Sequence, residues 1–208
     1  PPALVPRDIL LVCDGAPAPG MLDVDVKALG VDTYASSSHK WMLAPKGTGL
    51  LYIRKEAQER IKPLFMYSGY SVYSASAGTH AVPQIVAHGM AMEFHNTIGR
   101  QRIKARWRQL SNYARQQMAE IPQLRLLTPS QHALSAGLVS FSLEGGSNGA
   151  VVKALEKRDI FIKPAQGTYA YVDEIAGESY NAIRISTHIF NDETDVDRAV
   201  EALRKVLG

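Results

Sequence analysis

Apolar positions along the chain follow two patterns, short continuous runs in the first quarter and helical spacings further on. Ile9-Leu10-Leu11-Val12-Cys13 is an unbroken apolar run ending at Asp14-Gly15, and it predicts a central strand buried on both faces. Val31 to Ala35 and Gly49 to Ile53 predict two more strands, with a short helix from Asp23 to Leu29 before them. Lys55 to Lys62 reads as a polar surface helix stopped by Pro63. The Gly-, Ser- and Tyr-rich stretch from Tyr67 to Thr79 reads as a long loop, a length that compact domains keep for function or interfaces. From Val82 to Thr97, Ile85, Met92 and Phe94 among small residues predict a helix packed inside the protein. A long amphipathic helix from about Ile98 to Ile121 carries Ile103, Trp107, Leu110, Ala114 and Met118 on one stripe.

Pro122 ends that helix and the character of the chain changes. Leu124 to Leu127, Gly137 to Leu143, Ile160 to Lys163 and Ala182 to Thr187 predict strands, and Asn148 to Lys157 a helix. The last element, Asp192 to Leu207, places Val196, Ala199, Val200, Leu203 and Leu207 on one face, with acidic residues early and Arg204-Lys205 late. The expected organisation is an α/β segment over residues 1–97 and a smaller α+β domain over 98–208 that includes the connecting long helix.

Composition narrows the class without changing this outline. The 208 residues are 46% hydrophobic and 21% charged, the range of soluble globular chains. The net charge of +3 is mildly basic, but both signs are mixed along the chain with no Lys/Arg block, which argues against a nucleic-acid partner. No apolar run reaches the ~18 residues of a membrane span, so no membrane partner is expected. Cys13 is the single cysteine; it excludes an internal disulfide or a Cys-x-x-Cys metal site and makes a reducing, cytoplasmic compartment the expectation. The chain opens on Pro1 rather than Met, and earlier residues are expected to precede it.

The candidate chemistry gathers around Ser36-Ser37-Ser38-His39-Lys40-Trp41, between two predicted strands. A lysine held at strand ends and partly desolvated has a lowered pKa and attacks carbonyls, and the hydroxyls and imidazole before it suit an anion. Asp14 also ends a strand, where α/β sheets place ligand sites; a turn or cap role is an equal alternative. Neighbouring strands would open Asp14 and Lys40 onto one crevice. Arg184 projects opposite the apolar side of its strand and offers a planar fork for a carboxylate, with a structural ion pair the equal alternative. Gly145 to Gly149 reads as a turn and cap, and Pro45-Lys46-Gly47-Thr48-Gly49 is no Walker loop, because its lysine precedes the glycines. His88 and His95 lie seven residues apart, too far for joint metal ligation, and no metal site is expected.

These residues resemble the class V aminotransferase superfamily of pyridoxal-phosphate enzymes, which includes cysteine desulfurases, kynureninases and isopenicillin-N-epimerase-like proteins. The resemblance covers nearly the whole chain and rests on Asp14-Gly15-Ala16 with Pro19-Gly20, on Ser37-Ser38-His39-Lys40-Trp41, on Ala44 to Gly49, and on Arg184-Ile185-Ser186 ahead of Asn191 and Asp195. The Trp41 and Ala-Pro-Lys-Gly-Thr-Gly wording is most similar to the epimerase-like branch. The resemblance implies the aspartate-aminotransferase-like fold, represented by part of its large α/β domain and its small α+β C-terminal domain. It further implies that Lys40 forms a Schiff base with pyridoxal 5'-phosphate and then moves the α-proton of an amino-acid substrate. Asp14 would pair with the pyridine nitrogen, Ser37 and His39 would bind the phosphate, and Arg184 would clamp the substrate carboxylate. Thr79 would reach the phosphate of a neighbouring subunit's cofactor, which implies a homodimer.

The sequence departs from the family pattern at three places. Pro17, without a hydrogen-bonding side chain, stands where the family has His or Gln facing the ring hydroxyl. No cysteine lies between the Ile160 strand and Arg184, so desulfuration through a mobile-loop cysteine is not expected. Family members are about twice as long, and this chain is expected to be their C-terminal portion. The expected activity is that of a pyridoxal-phosphate enzyme working at an amino-acid α-carbon, as an aminotransferase, an epimerase or racemase, or a lyase. The alternative is a non-catalytic dimeric binding protein that keeps the fold.

Overall fold

The structure is a computed structural model and describes residues 9–61, 80–131, 133–166 and 181–208. The chain forms two compact units, residues 1–102 and residues 103–208.

The first unit is built on three strands, β1 (Val12–Asp14), β2 (Thr33–Ser37) and β3 (Gly49–Ile53), in the order β1-β2-β3. β1 runs parallel to β2, with Asp14 opposite Ala35, and β2 runs antiparallel to β3, with Ser37 opposite Gly49. The parallel connection carries α1 (Val26–Leu29), a single turn whose start and stop are both written locally. Asp25 caps it by accepting the Lys27 and Ala28 N–H groups, and Gly30 closes it at φ 67°, a left-handed conformation that glycine adopts without penalty. Asp32 ties the three strands together at one end. Its carboxylate accepts the Leu11 N–H at 2.8 Å and pairs with Arg54, while its backbone carbonyl accepts the Arg54 N–H. The Leu11 hydrogen bond, followed by the Arg54 charge, holds the carboxyl below its ordinary range against the opposing effect of burial.

Three expectations are corrected in this unit. β1 is an edge strand among the described residues, and its Val12 is 68% exposed, so among them the apolar run is not buried on both faces. The polar helix from Lys55 reduces to one 3₁₀ turn, Lys55–Ala57, because only Ala57 finds a buried position and no apolar stripe sustains a longer helix. The interior helix is present as α2 (Val82–Ile98), but its buried residues are His88 and His95; Val82, Ile85, Val86, Met90 and Phe94 are exposed. The Tyr67 to Thr79 loop lies outside the described residues.

The second unit takes most of α3 (Arg100–Ala119), then β4 (Leu124–Leu126), β5 (Leu138–Leu143), α4 (Asn148–Glu156), β6 (Lys163–Gln166), β7 (Asn181–Ser186) and α5 (Glu193–Leu207). The sheet is antiparallel in the order β4-β5-β7-β6. Alternation sends Val139, Phe141, Ile183 and Ile185 to one face, where they share a core with Leu110, Ala114 and Met118 of α3, Val151, Val152 and Leu155 of α4, and Val196, Val200 and Leu203 of α5. Each fully buried Val, Leu, Ile, Phe or Met side chain of this set contributes about 1.5–3 kcal/mol of transfer free energy. The five α3 positions expected on one stripe are all buried. Ser147 caps α4, as the glycine-rich turn before it predicts, and Asp192 caps α5 in a reciprocal box with Asp195. The strand expected from Ile160 is shifted: the ladder begins at Lys163, because pairing with Asn181–Ser186 sets its register, and Pro164 is accommodated since β6 is an edge among the described residues.

Candidate functional site

β1 and β2 are parallel neighbours, so their carboxyl ends open on the same side of the sheet. A cleft of about 310 Å³ lies there, lined by Asp14 and Ala16 from β1 and its turn, Ala35, Ser36 and Ser37 from β2, and Gly49, Leu50 and Leu51 from β3. Asp14 is held in an Asx turn: its Oδ1 accepts the Ala16 N–H at 2.9 Å, and Oδ2 makes no hydrogen bond among the described residues. Gly15 then has to be a glycine, because a Cβ there would fall 1.9 Å from the ring of buried Tyr34. Burial, reinforced by Cys13 and Asp14, pushes the Tyr34 phenol up from its ordinary pKa, so it stays neutral behind Gly15.

Lys40 sits three residues beyond the end of β2, in the connection to β3. That connection is folded onto itself. Ser38 donates its N–H to the Thr48 carbonyl, Ala44 donates to the Ser38 carbonyl, Leu43 donates to the Lys40 carbonyl, and the Thr48 hydroxyl donates to Pro45 O at 2.7 Å. Leu43 takes φ 59°, a left-handed conformation that a side chain adopts only at a cost. Trp41 is buried and Lys40 and His39 are exposed, so the turn anchors on the tryptophan and presents the two polar side chains outward. Neither makes an ion pair or side-chain hydrogen bond among the described residues. On α2, buried His95 faces the Met42 and Trp41 carbonyls; burial lowers its pKa and those carbonyls work against that shift.

Of the residues expected to act together, the structure joins Asp14 and Ser37 in one cleft. His39 and Lys40 are on the adjoining turn and do not line it. Arg184 belongs to the second unit; it is exposed on the polar face of β7 and has no partner among the described residues. Thr79 lies outside the described residues. Ser36, part of the serine run but given no role of its own from the sequence, lines the cleft, and its buried Oγ has no hydrogen-bond partner among the described residues. Its signal was position: it is the first hydroxyl of the serine run and lies opposite Leu50 in the β2–β3 ladder. A carboxylate and two hydroxyls, one of them buried and without a partner among the described residues, suit a polar ligand bearing a basic ring nitrogen and an anionic group.

The fold and this cleft define an α/β protein that presents an acid and hydroxyls at parallel strand ends, next to a turn bearing a lysine. Residues 3–199 match the family model for class V aminotransferases, and the chain belongs to that family of pyridoxal-phosphate proteins. It is 30% identical over 222 aligned residues to isopenicillin N epimerase of Streptomyces clavuligerus, covering 97% of this chain and 54% of the relative. A probable cysteine desulfurase of Synechocystis is 27% identical, with 94% of this chain and 50% of the relative covered. Among solved structures, the apo cysteine desulfurase of Thermococcus onnurineus superposes with TM-score 0.83 at 24% identity, covering 95% of this chain and 52% of that one. That likeness shows the expected aminotransferase-like fold. The chain spans about half the length of the curated relatives it matches.

Proposed function

We propose that the protein carrying this chain is a pyridoxal-phosphate enzyme that acts at the α-carbon of an amino acid. The observation supporting this most directly is the cleft where Asp14, Ser36 and Ser37 converge at the ends of β1 and β2, with Lys40 on the turn that follows. When bound, the cofactor supplies an aldehyde for an amine and a ring that accepts the electrons released at the substrate carbon. In this reading Asp14 holds a proton at the ring nitrogen; its Asx turn keeps one carboxylate oxygen occupied and the other available. Ser37 and His39 donate hydrogen bonds to the phosphate. Lys40 offers Nζ, first to the aldehyde and then to the substrate α-proton. Arg184 holds the substrate carboxylate through its fork.

Identity to both an epimerase and desulfurases supports amino-acid chemistry as the common ground, and racemisation, transamination and elimination all begin with removal of the same proton. A homodimer in the cytoplasm is part of the same proposal. The test is borohydride reduction of the full-length protein with added pyridoxal phosphate, then peptide mass mapping. A pyridoxyl adduct on Lys40 is expected. A folded, full-length protein with no adduct, or with its adduct on another lysine, overturns the reading.

A further inference from the structure

Antiparallel pairing sets Arg184 of β7 directly between Ser140 of β5 and Lys163 of β6. Residues directly opposite in such a ladder share a face, with Cβ atoms about 4.5–5.5 Å apart. This face is the one turned away from the core, since the alternate positions Ile183, Ile185, Val139 and Phe141 are the buried ones. Like charges directly opposite each other weaken a sheet. Yet both side chains are exposed, and neither makes an ion pair or side-chain hydrogen bond among the described residues. None of the four strands contains an Asp or Glu, and Arg125 of β4, opposite Ser142, adds a third cation to the same face. The sheet thus carries an unfavourable juxtaposition that it does not neutralise itself.

We infer that Lys163 and Arg184 form a paired subsite for a dicarboxylic amino acid, Arg184 taking the α-carboxylate and Lys163 the side-chain carboxylate. This rests on the role proposed for Arg184 above. The two residue types divide the work sensibly: the guanidinium fork fixes the orientation of one planar carboxylate, and the ammonium, a point charge on a flexible stem, follows a second one at a distance set by the ligand. A single carboxylate would be served by the arginine alone.

The test is calorimetric titration of the full-length protein with glutarate and with butyrate, which carries the same three-carbon chain with hydrogen in place of the second carboxylate; neither needs turnover. Glutarate is expected to bind about tenfold tighter or more. Lys163→Met should erase that preference while leaving butyrate binding within about twofold, Lys163→Arg should restore most of it, and Arg184→Met should weaken both acids. Because Lys163 is exposed and stands opposite a like charge, the Lys163→Met variant is expected to melt with the parent or slightly above it, which a thermal scan verifies. Equal binding of the two acids, or a Lys163→Met loss that falls on both alike, overturns the inference while the Lys40 adduct is untouched. A glutarate preference that depends on Lys163 in a protein forming no adduct sustains the dianion subsite and removes the cofactor reading instead.

Discussion

Gly20 packs against the main chain of Trp41: a Cβ at position 20 would lie 2.5 Å from both the carbonyl carbon and oxygen of Trp41, and 2.6 Å from the Met42 nitrogen. Its φ of 89° is also one that side chains rarely adopt. The loop leaving Asp14 and the turn carrying Lys40 therefore meet backbone to backbone, and the position of one is set by the other. Gly20→Ala is expected to destabilise the protein by about 1–3 kcal/mol, read as a lowered thermal midpoint. It should also weaken cofactor retention, because the Lys40 turn must shift. A variant with unchanged midpoint and retention would show that the two loops move independently.

Leu43 is the counterpart on the other side of Lys40. It is 40% exposed and held at φ 59°, so its side chain gains little from burial and carries left-handed strain. Leu43→Gly should relieve that strain and, against the greater freedom of the unfolded chain, leave stability within about 1 kcal/mol of the parent. A loss well beyond that in a denaturant titration would mean that the leucine packs on something that matters.

Asp32 predicts an acid sensitivity. Its folded-state pKa is depressed by the Leu11 N–H first and the Arg54 charge after it, so its contribution is present above the unfolded value and is lost as pH falls through the folded one. Asp32→Asn should therefore cost about 1–2 kcal/mol at pH 7, and the gap to the parent should close as melts are repeated from about pH 4 downward. A difference that stays constant down to the acid limit would assign the effect to packing rather than charge.

The elements read most faithfully from the sequence are those whose partners lie inside this chain. Ile103 to Met118 on α3 and Val196 to Leu203 on α5 were legible because helical spacing and burial coincide, and the α4 cap because Ser147 acts within one turn. Val12 on β1 and Ile85 and Phe94 on α2 misled for the opposite reason: apolar character says that a residue is suited to burial, not that this segment supplies the cover. In the cleft, Asp14 was legible from its strand end and Ser37 from the family resemblance, whereas Ser36, and in the second unit the Lys163–Arg184 pairing, depend on sheet register, which no single strand encodes.

The Asp192 box offers a stability test in the second unit. Asp192 accepts the Asp195 N–H at 3.0 Å, and Asp195 in return accepts the Asp192 N–H at 3.3 Å and the Asn191 amide at 3.0 Å. Asp192→Ala should cost about 1 kcal/mol, and Asp192→Ser should recover most of it, because a hydroxyl also accepts from the third residue of the helix.

Asp14 separates structure from chemistry most cleanly. Its Oδ1 takes the Ala16 N–H, a bond that an asparagine carbonyl also accepts, and the residue is exposed, so Asp14→Asn should melt within about 0.5 kcal/mol of the parent. What asparagine lacks is the negative charge that keeps a proton at the ring nitrogen in the proposed function. The variant is thus expected to retain the Lys40 pyridoxyl adduct after borohydride reduction while exchange of the substrate α-proton with deuterium, followed by NMR, slows by about a hundredfold or more. If exchange continues at the parental rate, Asp14 is only the anchor of its turn, and the electron-accepting role proposed for the cleft loses its acid.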